Sequence, residues 1–481
     1  MTSARWPAGE DTGTDPEAHP APSVDPAPGV PASLTCGIRE RLSPRGTLRV
    51  LICGSGAGGH VLAGLLSARG DVDARVFTLN AEKVERWRSI MTREQLCVVE
   101  RHATTERTVA VSNPSLVTDD PREAASGCDM ALFVLPAFLH ARYLSALGPY
   151  LEDGCVIVGL PGQPGFEFEV RQLLGAGPRD TTVLNFDSLP WICRLAELGR
   201  RVTINGTKER LTGAMQGDLA RARVTDPLSA LQTLFGPAPQ LVVSGHVLGI
   251  TLRSPNASNH PPMMYSRWKD WDGSAVREPP LFYEGIDQDG ADLLERVSEE
   301  LVATAARIMD LRPDVDLTRV IPQYQWEIDY YGESIGDRTS LMTALRTNAG
   351  YAGITHPMLE TRGGSYCPDF GHRFLSEDIP FGLVVMRGVA ELAGVPTPFI
   401  DSVITWGQER LGGHYLEAGR LTGRDLASTR CPQRYGMRDL DAVLGTPASA
   451  IGPSLPGGPQ GRAPADVPPP RRQDSSLRTV V

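Results

Sequence analysis

Residues 54–59 read Gly54, Ser55, Gly56, Ala57, Gly58 and Gly59, a G-x-G-x-x-G arrangement. In such a run the first glycine makes a tight turn, the second lets the backbone approach a pyrophosphate, and the third permits close packing of a helix on a strand. The helix N-terminus then faces the phosphates. Context gives the motif its weight: it follows an apolar run, residues 47–53 (TLRVLIC), and opens a helical stretch over 58–69. A dinucleotide is the expected ligand. At the tip of the second strand, where an acid would meet ribose hydroxyls, the chain reads Thr78-Leu79-Asn80. Asn80 can hydrogen-bond those hydroxyls, while Lys83 and Arg86 could meet a 2′-phosphate. NAD is therefore the expected cofactor, with NADP possible. Glu82, Lys83 and Arg86 can equally be read as the solvated face of a helix.

A second set of reactive types lies far along the chain. His260 stands in NASNHPPMMYSRWKDWDG (256–273), between polar residues and a rigid Pro-Pro pair, an unusual setting for a core histidine. Residues 369–382, DFGHRFLSEDIPFG, gather Asp369, His372, Arg373, Glu377 and Asp378. If that stretch is an α-helix, Arg373 and Asp378 are about 140° apart around its axis and reach different parts of one cleft. A histidine backed by a carboxylate is an acid/base unit, and an arginine offers a bidentate grip on a carboxylate. The alternative is a surface of ion pairs. Trp326, in QYQWEIDYY, could wall a pocket or sit in a helix core.

The elements that must position these residues follow from pattern. Strand-like runs at 47–53, 73–79, 129–135 and 155–160 alternate with helical stretches at 58–69 and 80–90. That alternation implies a doubly wound parallel sheet, an α/β fold of Rossmann type. Beyond about Val247 longer helical patterns take over, such as 290–309 with Leu293, Leu294, Val297, Leu301 and Ala305 on one face. The expected organisation is a dinucleotide-binding domain over 47–247 and a mainly α-helical domain over 248–451. Residues 1–46 and 452–481, dense in Pro, Gly and charge, are expected to be disordered tails.

Composition sets outer limits. With 481 residues, 41% hydrophobic and a net charge of −10, the chain is long enough for two cores and too acidic to favour nucleic acid or an anionic membrane. No apolar run approaches the roughly 18 residues of a membrane span, and the N-terminus lacks the basic and apolar regions of a secretory signal. Eight scattered cysteines without a C-x-x-C pair suggest reduced thiols in a cytoplasmic protein and no metal site.

Several blocks resemble the octopine dehydrogenase branch of the opine dehydrogenases. They are FTLNAEKVERW (77–87), GLPGQPGFEF (159–168), HPPMMYSRWKDWDG (260–273), PLFYEGIDQ (280–288), THPM (355–358), DFGHRFLSEDIPFGLVV (369–385) and TRCPQRYG (429–436). The likeness runs from about Thr47 to Leu444. It implies a nicotinamide-dependent enzyme that joins an amino acid to a 2-oxo acid such as pyruvate and reduces the resulting imine, in a cleft between two domains. It also implies His260 and Asp378 as the acid/base dyad and Arg373 as holder of the 2-oxo acid carboxylate. Small-molecule substrates are the expected partners; the oligomeric state is left open. Asn256-Ala257-Ser258-Asn259 replaces the aromatic and apolar residues that octopine-type enzymes tend to carry there, which argues against arginine as the amino acid. The rivals are a two-domain 2-hydroxyacid or 3-hydroxyacyl dehydrogenase, whose sequence blocks are absent, and a nucleotide sensor without catalysis.

Overall fold

The computed structural model describes residues 46–102, 105–174 and 181–445. Both expected tails lie outside the described residues, Gly46 excepted.

The apolar run at the start is β1 (Leu48–Cys53), with α1 (Ala57–Ser67), β2 (Val72–Phe77) and α2 (Ala81–Met91) following it. Next come β3 (Leu96–His102), β4 (Thr105–Ser112), β5 (Leu116–Thr118), β6 (Met130–Phe133) and α3 (Ala137–Leu147). Then follow β7 (Val156–Gly159), α4 (Phe166–Leu174), β8 (Val183–Phe186), β9 (Trp191–Glu197), β10 (Arg201–Thr207), β11 (Arg210–Gln216) and β12 (Gln240–Val243).

Eight of these strands form one sheet in the order β12-β11-β8-β7-β6-β1-β2-β5. β1 pairs in parallel with β2 on one side and β6 on the other, so the chain changes direction across the sheet between β1 and β6. In open α/β sheets the crevice beyond the carboxyl ends at such a point is where ligands bind. The strands β1, β6 and β7 are buried almost throughout, as strands covered on both faces must be. The sheet departs from the wholly parallel one expected, because β11 runs antiparallel to β8.

A four-stranded sheet, β4-β3-β10-β9, was not foreseen. It lies over α1, where a Cβ on Gly64 would stand 2.3 Å from Val98 of β3. A helix covered on two sides is apolar nearly all round, and α1 buries Val61, Leu62, Ala63 and Leu66 together with its glycines.

The remaining chain is mainly helical: α5 (Pro255–Trp268), α6 (Gln288–Leu311), α7 (Gln323–Tyr331), α8 (Arg373–Ser376), α9 (Val384–Ala393) and α10 (Pro398–Leu411), with one small hairpin. α6 is its spine. Asp287 caps it by accepting the Gly290 amide at 2.9 Å, and Leu294, Val297, Leu301, Ala305 and Ile308 form its buried stripe. Leu293 is only partly covered there. Between α8 and α9 the residues Ile379–Leu383 form a π-helical turn. No helix among the described residues is long and apolar enough to cross a membrane.

Candidate active site

The glycine loop has the geometry a dinucleotide requires. Gly54 adopts φ +123, and a Cβ there would meet the Val134 carbonyl oxygen at 2.5 Å. A Cβ on Gly59 would meet the Gly54 oxygen at 2.2 Å, so the first helical turn can close on the loop only without side chains. At Gly56, by contrast, a Cβ would point into open space, the room a pyrophosphate needs. α1 has no side-chain cap and no acid in its first turn, leaving its N-terminus available to an anion. Ala57 and Gly58 begin that turn, and Gly58 packs against Val134 and Leu189. Ser55 turns away, its hydroxyl 3.1 Å from that of Thr78. These residues fit a nicotinamide dinucleotide. Asn80 is exposed at the tip of β2, but its side-chain oxygen caps α2 by accepting the Lys83 amide at 2.9 Å. Its NH2 group makes no hydrogen bond to the described residues and is free for a ribose.

His260 lies in mid-α5, and the helix runs on through Pro261 and Pro262. The segment is thus a helix from which the rigid Pro-Pro pair removes two backbone donors. Its Nδ1 is 2.8 Å from Oδ2 of Asp378, and both side chains are largely buried. The imidazole stacks on Phe374, centroids 3.8 Å apart at 21°, and meets Phe282 edge-on at 5.9 Å. Two aromatic rings therefore fix the histidine and keep water from it. Leaving Nδ1 on the carboxylate frees Nε2 to meet a substrate.

The segment after α8 explains how Arg373 and Asp378 share one site. The Asp378 amide donates to the Arg373 carbonyl at 3.2 Å, an i to i−5 bond, and Leu383 repeats the pattern on Asp378. The Arg373 carbonyl also accepts the Glu377 amide at 3.0 Å, so the α-helical turn that starts at Arg373 loosens at its end and passes into the π-helical turn after Asp378. π-turns of this kind recur at functional sites. Arg373 leaves 56% of its side chain exposed and pairs with Glu377 at 3.6 Å. Its guanidinium is available to a carboxylate. Glu377 is buried and accepts the Ala137 amide, at the start of α3, at 2.9 Å. Burial pushes its carboxyl above the ordinary range while Arg373 opposes the shift. That bond carries the helical domain's reactive segment to the carboxyl edge of the sheet. Asp369 instead closes a local turn on Gly371, and so is not the partner of His260.

Trp326 belongs to a different cluster. Its ring is buried and stacks on Tyr330 at 4.5 Å. The Tyr330 hydroxyl donates to Asp187 at 3.1 Å, just past the end of β8, and lies 2.6 Å from the Thr212 hydroxyl. Arg253, two residues ahead of α5, pairs with Asp187 at 3.5 Å, and both are buried. Phe282, Phe374, Asp187 and Arg253 escaped the sequence reading as site residues. Phe282 lies in the PLFYEGIDQ block and Phe374 in the DFGHRFLSEDIPFG segment, so only their contacts, not their positions, were hidden.

A dinucleotide crevice facing a helical domain that presents a histidine–carboxylate pair and a free arginine defines a two-domain nicotinamide-dependent dehydrogenase. Comparison with known proteins narrows the class. The family described as NAD/NADP octopine/nopaline dehydrogenase, alpha-helical domain, matches residues 243–411. A tauropine dehydrogenase of Arabella iricolor is 45% identical over 394 residues, covering 82% of this chain and 99% of its own. An octopine dehydrogenase of Pecten maximus is 44% identical over 83% of this chain and 99% of its own. A solved octopine dehydrogenase with NADH and L-arginine superposes with a TM-score of 0.79 at 43% identity, covering 83% of this chain and 98% of that one. The chain belongs to the opine dehydrogenase family and is an NAD(P)-dependent oxidoreductase of the class acting on CH–NH groups.

Proposed function

We propose that this protein condenses an amino acid with a 2-oxo acid such as pyruvate and reduces the imine to an N-(carboxyalkyl) amino acid, with NADH preferred modestly over NADPH. The observation that carries the reading is the His260–Asp378 pair with Arg373 on the same short segment five residues before Asp378, and with Glu377 joining that segment to the start of α3. Related octopine dehydrogenase structures carry NADH with L-arginine or with pyruvate.

Arg373 would hold the 2-oxo acid carboxylate through two parallel N–H bonds. The neutral amine attacks the carbonyl carbon, and His260, as imidazolium stabilised by Asp378, donates to the carbonyl oxygen and assists its departure as water. The phosphate loop Gly54 to Gly59 would grip the cofactor, which when bound supplies the hydride that reduces the imine carbon. Phe282 and Phe374 exclude the water that would otherwise hydrolyse the imine. The amino acid side chain would extend toward Asp187, Arg253 and the wall made by Tyr330 and Trp326. The seven free thiols among the described residues suit a cytoplasmic enzyme.

The test is to follow NADH and NADPH oxidation by the purified protein with pyruvate and each of the amino acids in turn. Turnover is expected only when oxo acid and amino acid are both present. Equal turnover with the oxo acid alone would make the protein a hydroxyacid dehydrogenase.

A further inference from the structure

The block TRCPQRYG contains an arginine whose surroundings are unlike those of any other cation described above. Arg430 and Glu169 of α4 are both fully buried, with Nε 2.8 Å from Oε2. The N–H is not aligned as a hydrogen bond, so this contact is a charge pairing. The two terminal nitrogens make directed bonds. Nη1 donates to the Gly162 carbonyl at 2.8 Å and the Pro164 carbonyl at 3.2 Å, both in the loop leaving β7. Nη2 donates to the Ala137 carbonyl at 2.9 Å and lies 2.7 Å from His140 Nδ1, both on the element leaving β6.

His140 is fitted for this contact. Its Nε2 donates to the Leu135 carbonyl at 2.9 Å, which leaves Nδ1 as an acceptor for the guanidinium. Burial, reinforced by Arg430, holds the imidazole well below its ordinary range and therefore neutral.

The backbone of Arg430 completes the connection. Its amide donates to the Pro380 carbonyl at 3.3 Å, inside the π-turn that begins next to Asp378. The backbone of Ala137 is thus held at both of its polar groups, its N–H by Glu377 and its C=O by Arg430.

We infer that Arg430 is a positioning residue for the reaction: it fixes the π-turn that directly follows Asp378 against the start of α3 and the loop leaving β7, and so holds Asp378 and Arg373 in place beside the carboxyl edge of the sheet. This rests on the function proposed above. A planar fork can serve two loops and a carboxylate together, whereas an ammonium cannot span them.

The experiment is Arg430→Lys, which keeps the charge beside Glu169 but loses the fork. NADH affinity, read by nucleotide fluorescence, should change by less than about threefold, because the glycine loop is untouched. The kcat with pyruvate and the amino acid should fall by at least about tenfold, as misplacement of reacting groups does. The isotope effect from NADH deuterated at C4 should rise, and amide exchange should quicken over 134–140 and 160–166. A lower Tm with kcat and isotope effect unchanged would overturn the proposal and leave Arg430 a structural ion pair. If Arg430→Lys does not fold, the pair Arg430→Met with Glu169→Met, which leaves no buried charge alone, is judged by the same measurements. Failure of the functional reading looks different, since the wild-type protein would then oxidise NADH without the amino acid or not at all.

Discussion

Asp378 Oδ2 stands 2.8 Å from His260 Nδ1, although 118 residues separate them in the chain. A buried carboxylate in that position orients the ring and leaves its Nε2 for the substrate. Replacing His260 by Ala should lower kcat by roughly 10²- to 10⁴-fold, the range of general acid/base loss. Asp378→Asn should act in the same direction but more mildly, because an amide still orients the ring. An unchanged rate in Asp378→Asn, with His260→Ala inactive, would dissolve the dyad.

Arg373 should fail differently. Its exposed guanidinium makes one ion pair at 3.6 Å within its own turn, so removal leaves the fold nearly as it was. Arg373→Met should raise the KM of the 2-oxo acid and lower kcat, while the dissociation constant of NADH stays constant. Steady-state kinetics beside a fluorescence titration would separate these, and a rise confined to NADH would assign Arg373 to the cofactor.

The glycine loop permits a sharper contrast. Gly56 is extended, φ −84 and ψ −171, and a Cβ there meets nothing, whereas one at Gly59 would lie 2.2 Å from the Gly54 oxygen. Gly56→Val should therefore fold with a Tm close to wild type yet bind NADH at least about a hundredfold more weakly, a loss near 2.7 kcal/mol. Gly59→Ala should instead lower the Tm. Equal effects of the two changes on Tm would contradict this division.

Stability should depend on pH through a buried acid outside the dyad. Glu327 accepts from Gln323 at 2.9 Å and from the Tyr351 hydroxyl at 3.0 Å, and burial pushes its carboxyl up to about 7. Between about 4.5, the unfolded value, and 7, the folded chain keeps a proton the unfolded chain has lost. Stability therefore falls as pH rises through that window and levels off above it, by about 3 kcal/mol at most from this group. Glu327→Gln should match wild type in Tm near pH 5 and exceed it at pH 8. Parallel Tm curves would show that the carboxyl ionises freely.

How much of this was legible depends on how far apart the cooperating residues lie. The β1–glycine loop–α1 unit is contiguous, so pattern alone located it within a residue or two. His260 and Asp378 came together only through the resemblance of whole blocks, since no spacing rule links residues 118 apart. The π-turn over Ile379–Leu383 was invisible because the stretch 369–382 was read as a regular α-helix. The second sheet was hidden by charges on its exposed face, such as Arg101, Glu106 and Arg201, which make its strands read as polar connections. Arg430 reads as one more surface cation until the loops around it are known.

Asp187 closes β8 and would be a natural acceptor for a cationic side chain, but Arg253 already pairs with it at 3.5 Å in a site where both are buried. Burial pushes the Asp187 carboxyl above its usual range, opposed first by Arg253. A second buried cation would have to displace the first, so basic amino acids should be poor substrates and small neutral ones better. Arg253 stands two residues before α5, the helix that carries His260, so the pair with Asp187 belongs to the same stretch of chain as the dyad. Arg253→Met removes the resident cation and leaves Asp187 open to a new one. Breaking a buried pair will cost stability, about 3–5 kcal/mol in typical cases, so the decisive quantity is a ratio that the folded fraction cannot alter. The kcat/KM for L-arginine relative to L-alanine should rise at least tenfold in Arg253→Met. A ratio equal to that of wild type would place the amino acid elsewhere in the cleft and remove Asp187 and Trp326 from its pocket.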